Sequence, residues 1–123
     1  MTENATGGAI AKTVTASGVA QITVTDSVVL GRQGGLSIGL DAFASMAGGV
    51  AKVFANRVSI SNVDYGILAS LSGSSVEIGD SMIVRNGINT YAVSGGVIRS
   101  LGNNHISDGT SADVGTLTPE PLR

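Results

Sequence analysis

The sequence predicts an all-β chain wound as a short parallel β-solenoid of about four coils, and three observations carry that reading. Short alternating stretches replace helical periodicity, as in Ile22-Thr-Val-Thr-Asp26, Gly66-Ile-Leu-Ala-Ser70 and Val76-Glu-Ile-Gly-Asp80. Eighteen glycines supply turns, while the two prolines, Pro119 and Pro121, leave the body free of strand breakers. The chain also repeats on itself at intervals near two dozen residues, the mark of a stacked architecture.

The repeat takes three offsets. At 31, Gly18-Val-Ala-Gln-Ile22 falls on Gly49-Val-Ala-Lys-Val53, Val29 on Ile60, Gly31 on Asn62, Leu36 on Ile67 and Ile38 on Ala69. At 24, Ile60 falls on Val84, Asn62 on Asn86, Ile67 on Tyr91 and Ala69 on Val93. At 22, Val76 falls on Ile98, Val84 on Ile106 and Asn86 on Asp108. Coils stacked at about 4.8 Å turn such recurrences into ladders. The expected apolar ladders are Val29, Ile60, Val84, Ile106 and Leu36, Ile67, Tyr91. The expected polar ladder is Asn62, Asn86, Asp108, with Gly31 in the same place one coil earlier; Asn and Gly both suit a left-handed turn.

Two irregularities stand out. Val53 falls on Val76 and Ile60 on Val84, a slip of one position within a single stretch, which suggests a bulge. The step from 24 to 31 implies an insertion, placed most simply as a loop over Asp41-Ala-Phe-Ala-Ser-Met-Ala47. The organisation expected is therefore an N-terminal partial coil or cap over 1–17, repeats over 18–109 and an irregular tail over 110–123. An antiparallel sandwich with frequent turns is the competing architecture. A left-handed hexapeptide solenoid fits poorly, because no six-residue register persists.

Composition excludes several classes of function. A formal net charge of −2 leaves no basic footprint for nucleic acid or anionic lipid. With 42% hydrophobic and 13% charged residues the chain is too apolar for disorder. Aromatics make up 3%, so the core rests on small β-branched residues, which a narrow and regular interior accommodates. No cysteine is present, so neither a disulfide framework nor a thiolate metal site is available. No apolar run approaches ~20 residues, so no helical membrane span is expected. Met1–Gly8 lacks the basic and apolar regions of a secretory signal, and the compartment stays open: extracellular or cell-surface if the chain is part of a larger exported protein.

At this point a resemblance enters. Ser94-Gly-Gly-Val-Ile-Arg-Ser-Leu-Gly-Asn-Asn-His-Ile-Ser-Asp-Gly109 resembles the terminal coil of bacterial right-handed parallel β-helix repeat proteins of the pectin-lyase-like superfamily. Ser74-Ser-Val-Glu-Ile-Gly-Asp-Ser-Met-Ile-Val-Arg-Asn86 is similar to their internal coils. The resemblance covers roughly Gly18 to Gly109 and implies a right-handed parallel β-helix; since that fold hosts lyases, hydrolases, adhesins and inert scaffolds, it implies no single activity.

Catalytic readings find little support among the residues. The carboxylates are Glu3, Asp26, Asp41, Asp64, Glu77, Asp80, Asp108, Asp113 and Glu120, of which Asp26, Glu77 and Asp80 lie in strand-like stretches. The offsets set Asp26 beside Arg57 and Glu77 beside Arg99, as opposite charges on adjacent coils. The Asn-Thr-Asp, paired Asp-Asp and Gly-His-Gly elements of polygalacturonase-like enzymes are missing. Arg57 and Asp80 are too few for a lyase-type calcium site, since calcium takes six to eight oxygens. His105, the single histidine, is expected to face solvent next to inward Ile106. Thr13-Val-Thr15 and Thr23-Val-Thr25 are ten residues apart and cannot stack as an ice-binding face, since Phe54 and Asn56 fall beneath Thr23 and Thr25. Asn4-Ala-Thr6 fits a glycosylation sequon, a short and common pattern.

Two of the few large apolar residues, Phe43 and Met46, fall in the expected loop, which is read either as a shield over the coil or as a partner contact. No capping helix is visible at the N-terminus, so the first coil is expected to be covered by further sequence or by self-association. The expectation is a non-catalytic scaffold for binding or adhesion, with carbohydrate or protein as partner and no cofactor. The alternative is a carbohydrate-active remnant or subunit.

Overall fold

A computed structural model describes residues 8–120; the sequon at Asn4, Glu3 and Pro121 lie outside the described residues. The described chain is all-β, in eleven strands. These are β1 (Ala9–Thr13), β2 (Val19–Leu30), β3 (Ile38–Ala44), β4 (Val50–Ser61), β5 (Tyr65–Ser70), β6 (Ser74–Gly79), β7 (Met82–Val84), β8 (Ile88–Val93), β9 (Val97–Ser100), β10 (His105–Ser107) and β11 (Leu117–Pro119). Every strand pair is parallel. A four-stranded sheet runs β1-β3-β5-β8, and a seven-stranded sheet runs β10-β7-β4-β6-β9-β11 with β2 also on β4. The chain passes back and forth between the two sheets, with β6–β7 and β9–β11 falling consecutively in the larger one, and each later pass, here a round, lies beside an earlier one.

The core lies between the sheets and is built from small residues. Leu40, Ala42, Ala44, Ile67 and Ala69 face it from the four-stranded sheet, and Ala51, Val53, Ala55, Val76, Ile78 and Ile98 from the other. The alternation that predicted strands is the alternation that fills this space: in β3, Leu40, Ala42 and Ala44 are buried while Asp41 and Phe43 are only half-buried. Across the sheets Val29, Ile60 and Ile83 close the interior against a row of glycines. A β-carbon on Gly39 would meet Ile60 Cγ2 at 2.6 Å, and one on Gly66 would meet Ile83 Cγ2 at 2.8 Å, so no side chain fits there.

The observed registers confirm part of the expected stacking and correct the rest. Val19–Leu30 lies on Val50–Ser61, with Val29 on Ile60, and Val76 lies on Ile98, as the sequence indicates. Ile60 pairs with Ile83, not Val84, and Val53 with Val76; the two steps are equal, so the expected slip is absent. In the four-stranded sheet Leu40, not Leu36, pairs with Ile67, and Ile67 pairs with Thr90, not Tyr91. Leu36 is 61% exposed in a connection.

The proposed insertion is also relocated. Asp41–Ala44 are strand, so only residues 45–47 of the 41–47 segment lie in a connection. The extra length is divided between two connections, residues 31–37 and the turn after β3. The sequence separation of paired residues drops by four from Leu30–Ser61 to Ile38–Tyr65, and by four again from Phe43–Ser70 to Ala51–Ser74. Each connection absorbs one of these steps. At the ends, strand pairing begins with β1, inside the region expected to be a partial coil, and the tail continues the pairing through a Tyr91–Val114 bridge and β11 on β9.

Corners use left-handed backbone and borrowed side chains. Asp26, Arg57 and Asp80 form one left-handed row (φ 50, 54 and 49°), and Asn62, Arg85 and Asp108 another (φ 60, 56 and 59°). Asn86 is therefore not a rung of the expected Asn62, Asn86, Asp108 ladder; Arg85 takes that place, with the Asn62 N–H donating to the Arg85 carbonyl at 3.2 Å. Gly31 is not among the left-handed residues; its carbonyl accepts from Asn62 Nδ2 at 2.9 Å. Corner N–H groups that leave the ladder are taken up by a polar side chain one round on. The Val58 N–H donates to Ser81 Oγ at 3.1 Å, the Ser81 N–H to Asn104 Oδ1 at 2.9 Å, and the Val63 N–H to Asn86 Oδ1 at 3.1 Å.

Candidate functional site on the outer face of the four-stranded sheet

Because Leu40, Ala42 and Ala44 turn inward, Asp41 and Phe43 stand on the outer face of β3. Register then assembles their neighbours. One row runs Ile10, Asp41, Leu68, Tyr91, and a second runs Lys12, Phe43, Ser70, Val93. A third row is Ile38, Tyr65, Ile88. The result is a sheet face that is mainly aliphatic and aromatic, where solvent-facing strands ordinarily carry polar residues.

Its rings and charges are in contact. The Tyr65 and Tyr91 rings meet edge to face, with centroids 5.3 Å apart at 78°. Lys12 Nζ lies 5.6 Å from the centre of the Phe43 ring, within cation–π range. Asp41 stands among these groups, and its Oδ1 is buried without a hydrogen-bond partner among the described residues. Burial pushes its carboxyl above the ordinary aspartate range, and the positive charge of Lys12 offsets part of that rise. Chemically this is one half-buried carboxyl, edged by aromatic rings and a cation. It can pair with hydroxyl groups, and the rings can lie against an apolar face.

The residues singled out from sequence fall elsewhere or take other tasks. Phe43 belongs to this face but sits in a strand, and Met46 lies in the turn after it, 49% exposed; the two do not make one loop. Asp26 and Arg57 do meet: one guanidinium edge faces the carboxylate, Nε donating to Oδ1 and Nη2 to Oδ2 at 2.9 Å, and this pairing lowers the carboxyl pKa. Glu77 and Arg99 are register partners, as the sequence offset places them. Thr23 and Thr25 stack on Phe54 and Asn56. His105 is exposed on β10, its Nε2 3.1 Å from Ser107 Oγ. Asp80 lines a shallow groove with Arg57, Asn103 and His105, and its N–H donates to Asn103 Oδ1 at 2.7 Å. Among the described residues no group of three His, Cys, Asp or Glu side chains is placed to hold a metal ion, and no helix is long and apolar enough to cross a membrane.

Sequence reasoning missed Asp41. The available signal was its parity: a carboxylate between inward Leu40 and Ala42 must face outward. Its burial depends on Ile10 and Leu68, each a full round away along the chain, and becomes visible only once the register is known. The chain matches no family model, and no curated protein or solved structure is similar to it at a significant level.

Proposed function

We propose that this chain is a short right-handed parallel β-helix of the pectin-lyase-like kind, acting as a non-catalytic scaffold of a surface or secreted protein. It would bind an oligosaccharide across the outer face of the four-stranded sheet. The β-helix reading is supported by uniformly parallel pairing, by regular passage between two sheets and by a nearly constant step between paired strands in the later rounds. Right-handedness follows from the strong preference of parallel crossovers for that hand.

The observation that carries the function is the juxtaposition of Tyr65, Tyr91 and Phe43 with the half-buried Asp41 carboxyl and Lys12. Rings offer a surface to the apolar face of a sugar, and the two charged groups offer hydrogen bonds to its hydroxyls. Other carboxylates have structural surroundings: Asp26 pairs with Arg57, and Asp64 caps a connection.

The test is titration of the purified chain with a panel of soluble oligosaccharides, followed by tyrosine fluorescence. Saturable quenching that Tyr91→Ala removes, with the circular dichroism unchanged, is the expected result. A chain that binds none of the panel, or binds equally well without Tyr91, defeats the proposal. A second reading, as a subunit of a carbohydrate-active assembly, is favoured by the Asp41 carboxyl itself, whose Oδ1 is buried without a hydrogen-bond partner among the described residues beside the rings of the outer face. Glycoside hydrolysis needs a second carboxyl, which another chain would then contribute. Turnover of polyuronate with calcium by the isolated chain would replace the scaffold reading with an enzymatic one.

A further inference from the structure

The two ends of the stack differ. At one end the outer edges of β1 and β2 have no strand beside them among the described residues. The core there is incompletely closed: Ala9, Ala20, Ile22 and Val24 pack on it but are only partly buried. Among the described residues, five of the nine exposed large hydrophobic side chains, Ile10, Val14, Val19, Val28 and Leu30, belong to this first round. At the other end the chain blunts itself, with Thr110 and Ser111 bonded back to Asn86 and Gly87 and with Pro119 closing β11.

The open edge also lacks the usual protection against pairing. Along Val19–Leu30 the single charge is Asp26, already neutralised by Arg57 of the same chain, and no lysine or proline interrupts the strand. Lys12 of β1 is turned away over the Phe43 ring. Nothing in this edge repels a copy of itself.

We infer that the chain forms a two-fold dimer in which the β2 edges of two copies pair antiparallel. A two-fold axis gives a closed, isologous contact, whereas stacking the open end on the blunted end would build an open filament. With Ile22 opposite its own copy, Ala20 faces Val24 and the inward row of one copy continues into the other. Val19 then faces Thr25, and Gln21 faces Thr23, on the outer side. The paired segment Val19–Thr25 carries no charge, and the left-handed bend at Asp26 ends it.

The test combines light scattering with a cysteine placed on the axis. The chain has no cysteine, so Ile22→Cys introduces a unique thiol. On oxidation Ile22→Cys is expected to convert to disulfide-linked dimer, while Met82→Cys, exposed on a distant strand, stays uncross-linked. Unmodified protein should run at twice the chain mass, and Ile22→Lys at the single mass if it folds. If Ile22→Lys fails to fold, the cysteine pair still decides. A wild-type chain that stays monomeric to its solubility limit overturns the inference, as does a dimer or filament that Ile22→Cys does not lock.

Discussion

Ser37 and Asp64 hold each other in both directions. The Ser37 N–H and hydroxyl donate to Asp64 Oδ2 at 2.9 and 3.0 Å, while the Asp64 N–H donates to Ser37 Oγ at 2.9 Å. The Gly34 N–H adds a bond to Oδ1 at 3.0 Å, so one carboxylate fixes most of the lengthened connection between β2 and β3. These backbone donors favour the ionised form and lower the Asp64 pKa. A carboxyl with a depressed folded pKa stabilises the fold above its unfolded value near 4 and loses that contribution as pH falls through the folded value. Through the loss of these hydrogen bonds, weakened by solvent around the carboxylate, Asp64→Ala is expected to cost about 1 kcal/mol at pH 7. Urea titrations should show the gap from wild type closing as pH falls below about 4; a gap unchanged on acidification counts against the carboxylate as the fastening.

Asp41 should respond with the opposite sign. Its folded pKa is raised by burial, so folding favours the protonated acid. The folded state is then penalised as pH climbs from the unfolded value through the folded one, and the penalty stays in place at neutral pH. Asp41→Asn removes the charge with little change of shape and should raise stability at pH 7, with the advantage shrinking as pH falls below the ordinary aspartate range. Thermal melts of both proteins across that range decide it. An asparagine variant less stable than wild type at pH 7 would show that Lys12 compensates the buried carboxylate in full.

How far the fold could be read depended on what each sheet offered. The seven-stranded sheet betrayed its register through a five-residue match, Gly18–Ile22 on Gly49–Val53, with a glycine to fix the phase. The four-stranded sheet was harder to read because Leu36 and Leu40 are both leucines an even number of positions apart, and an even shift preserves which side a strand's side chains face. Leu36 over Ile67 therefore looked as good as Leu40 over Ile67. Val84 competes with Ile83 for a different reason: the two are adjacent aliphatic residues and both are buried, so burial alone does not separate them. For the outer face the difficulty was deeper: no local pattern tells that Ile10, Asp41, Leu68 and Tyr91 share one row.

That ambiguity has a direct mutational test. Leu40 has no exposed surface and stacks on Ile67, whereas Leu36 is 61% exposed. Leu40→Ala should cost about 3 kcal/mol through lost burial and a residual cavity, and Leu36→Ala less than about 0.5 kcal/mol. Chemical denaturation of the two variants measures the contrast. Equal losses, or the larger loss at Leu36, would restore Leu36 as the residue stacked on Ile67.

Asn86 gives the last test, and it separates a polar interior from an apolar one. The side chain is fully buried, and all its polar atoms are engaged. Oδ1 accepts from the Val63 N–H, while Nδ2 donates to the Ile60 carbonyl at 3.3 Å and to Asn89 Oδ1 at 3.0 Å. Asn89 Nδ2 in turn donates to the Ser107 carbonyl at 2.9 Å, so two amides link three successive rounds. One round earlier the position of Asn86 is held by Val63, which shows that the space itself accepts an apolar side chain. Asn86→Val should nonetheless destabilise by about 2–3 kcal/mol, because it strands the Val63 N–H away from water and leaves Asn89 Oδ1 only the long bond from the Asn86 N–H, at 3.4 Å. The pair Asn86→Val with Asn89→Gly removes both amides together and matches the Val63 and Gly66 arrangement of the preceding round. Its loss should be smaller than the sum of the two single losses by about 1 kcal/mol or more, as expected for coupled polar groups. A double-mutant cycle from equilibrium unfolding measures that coupling, and strict additivity would mean that the two amides act independently.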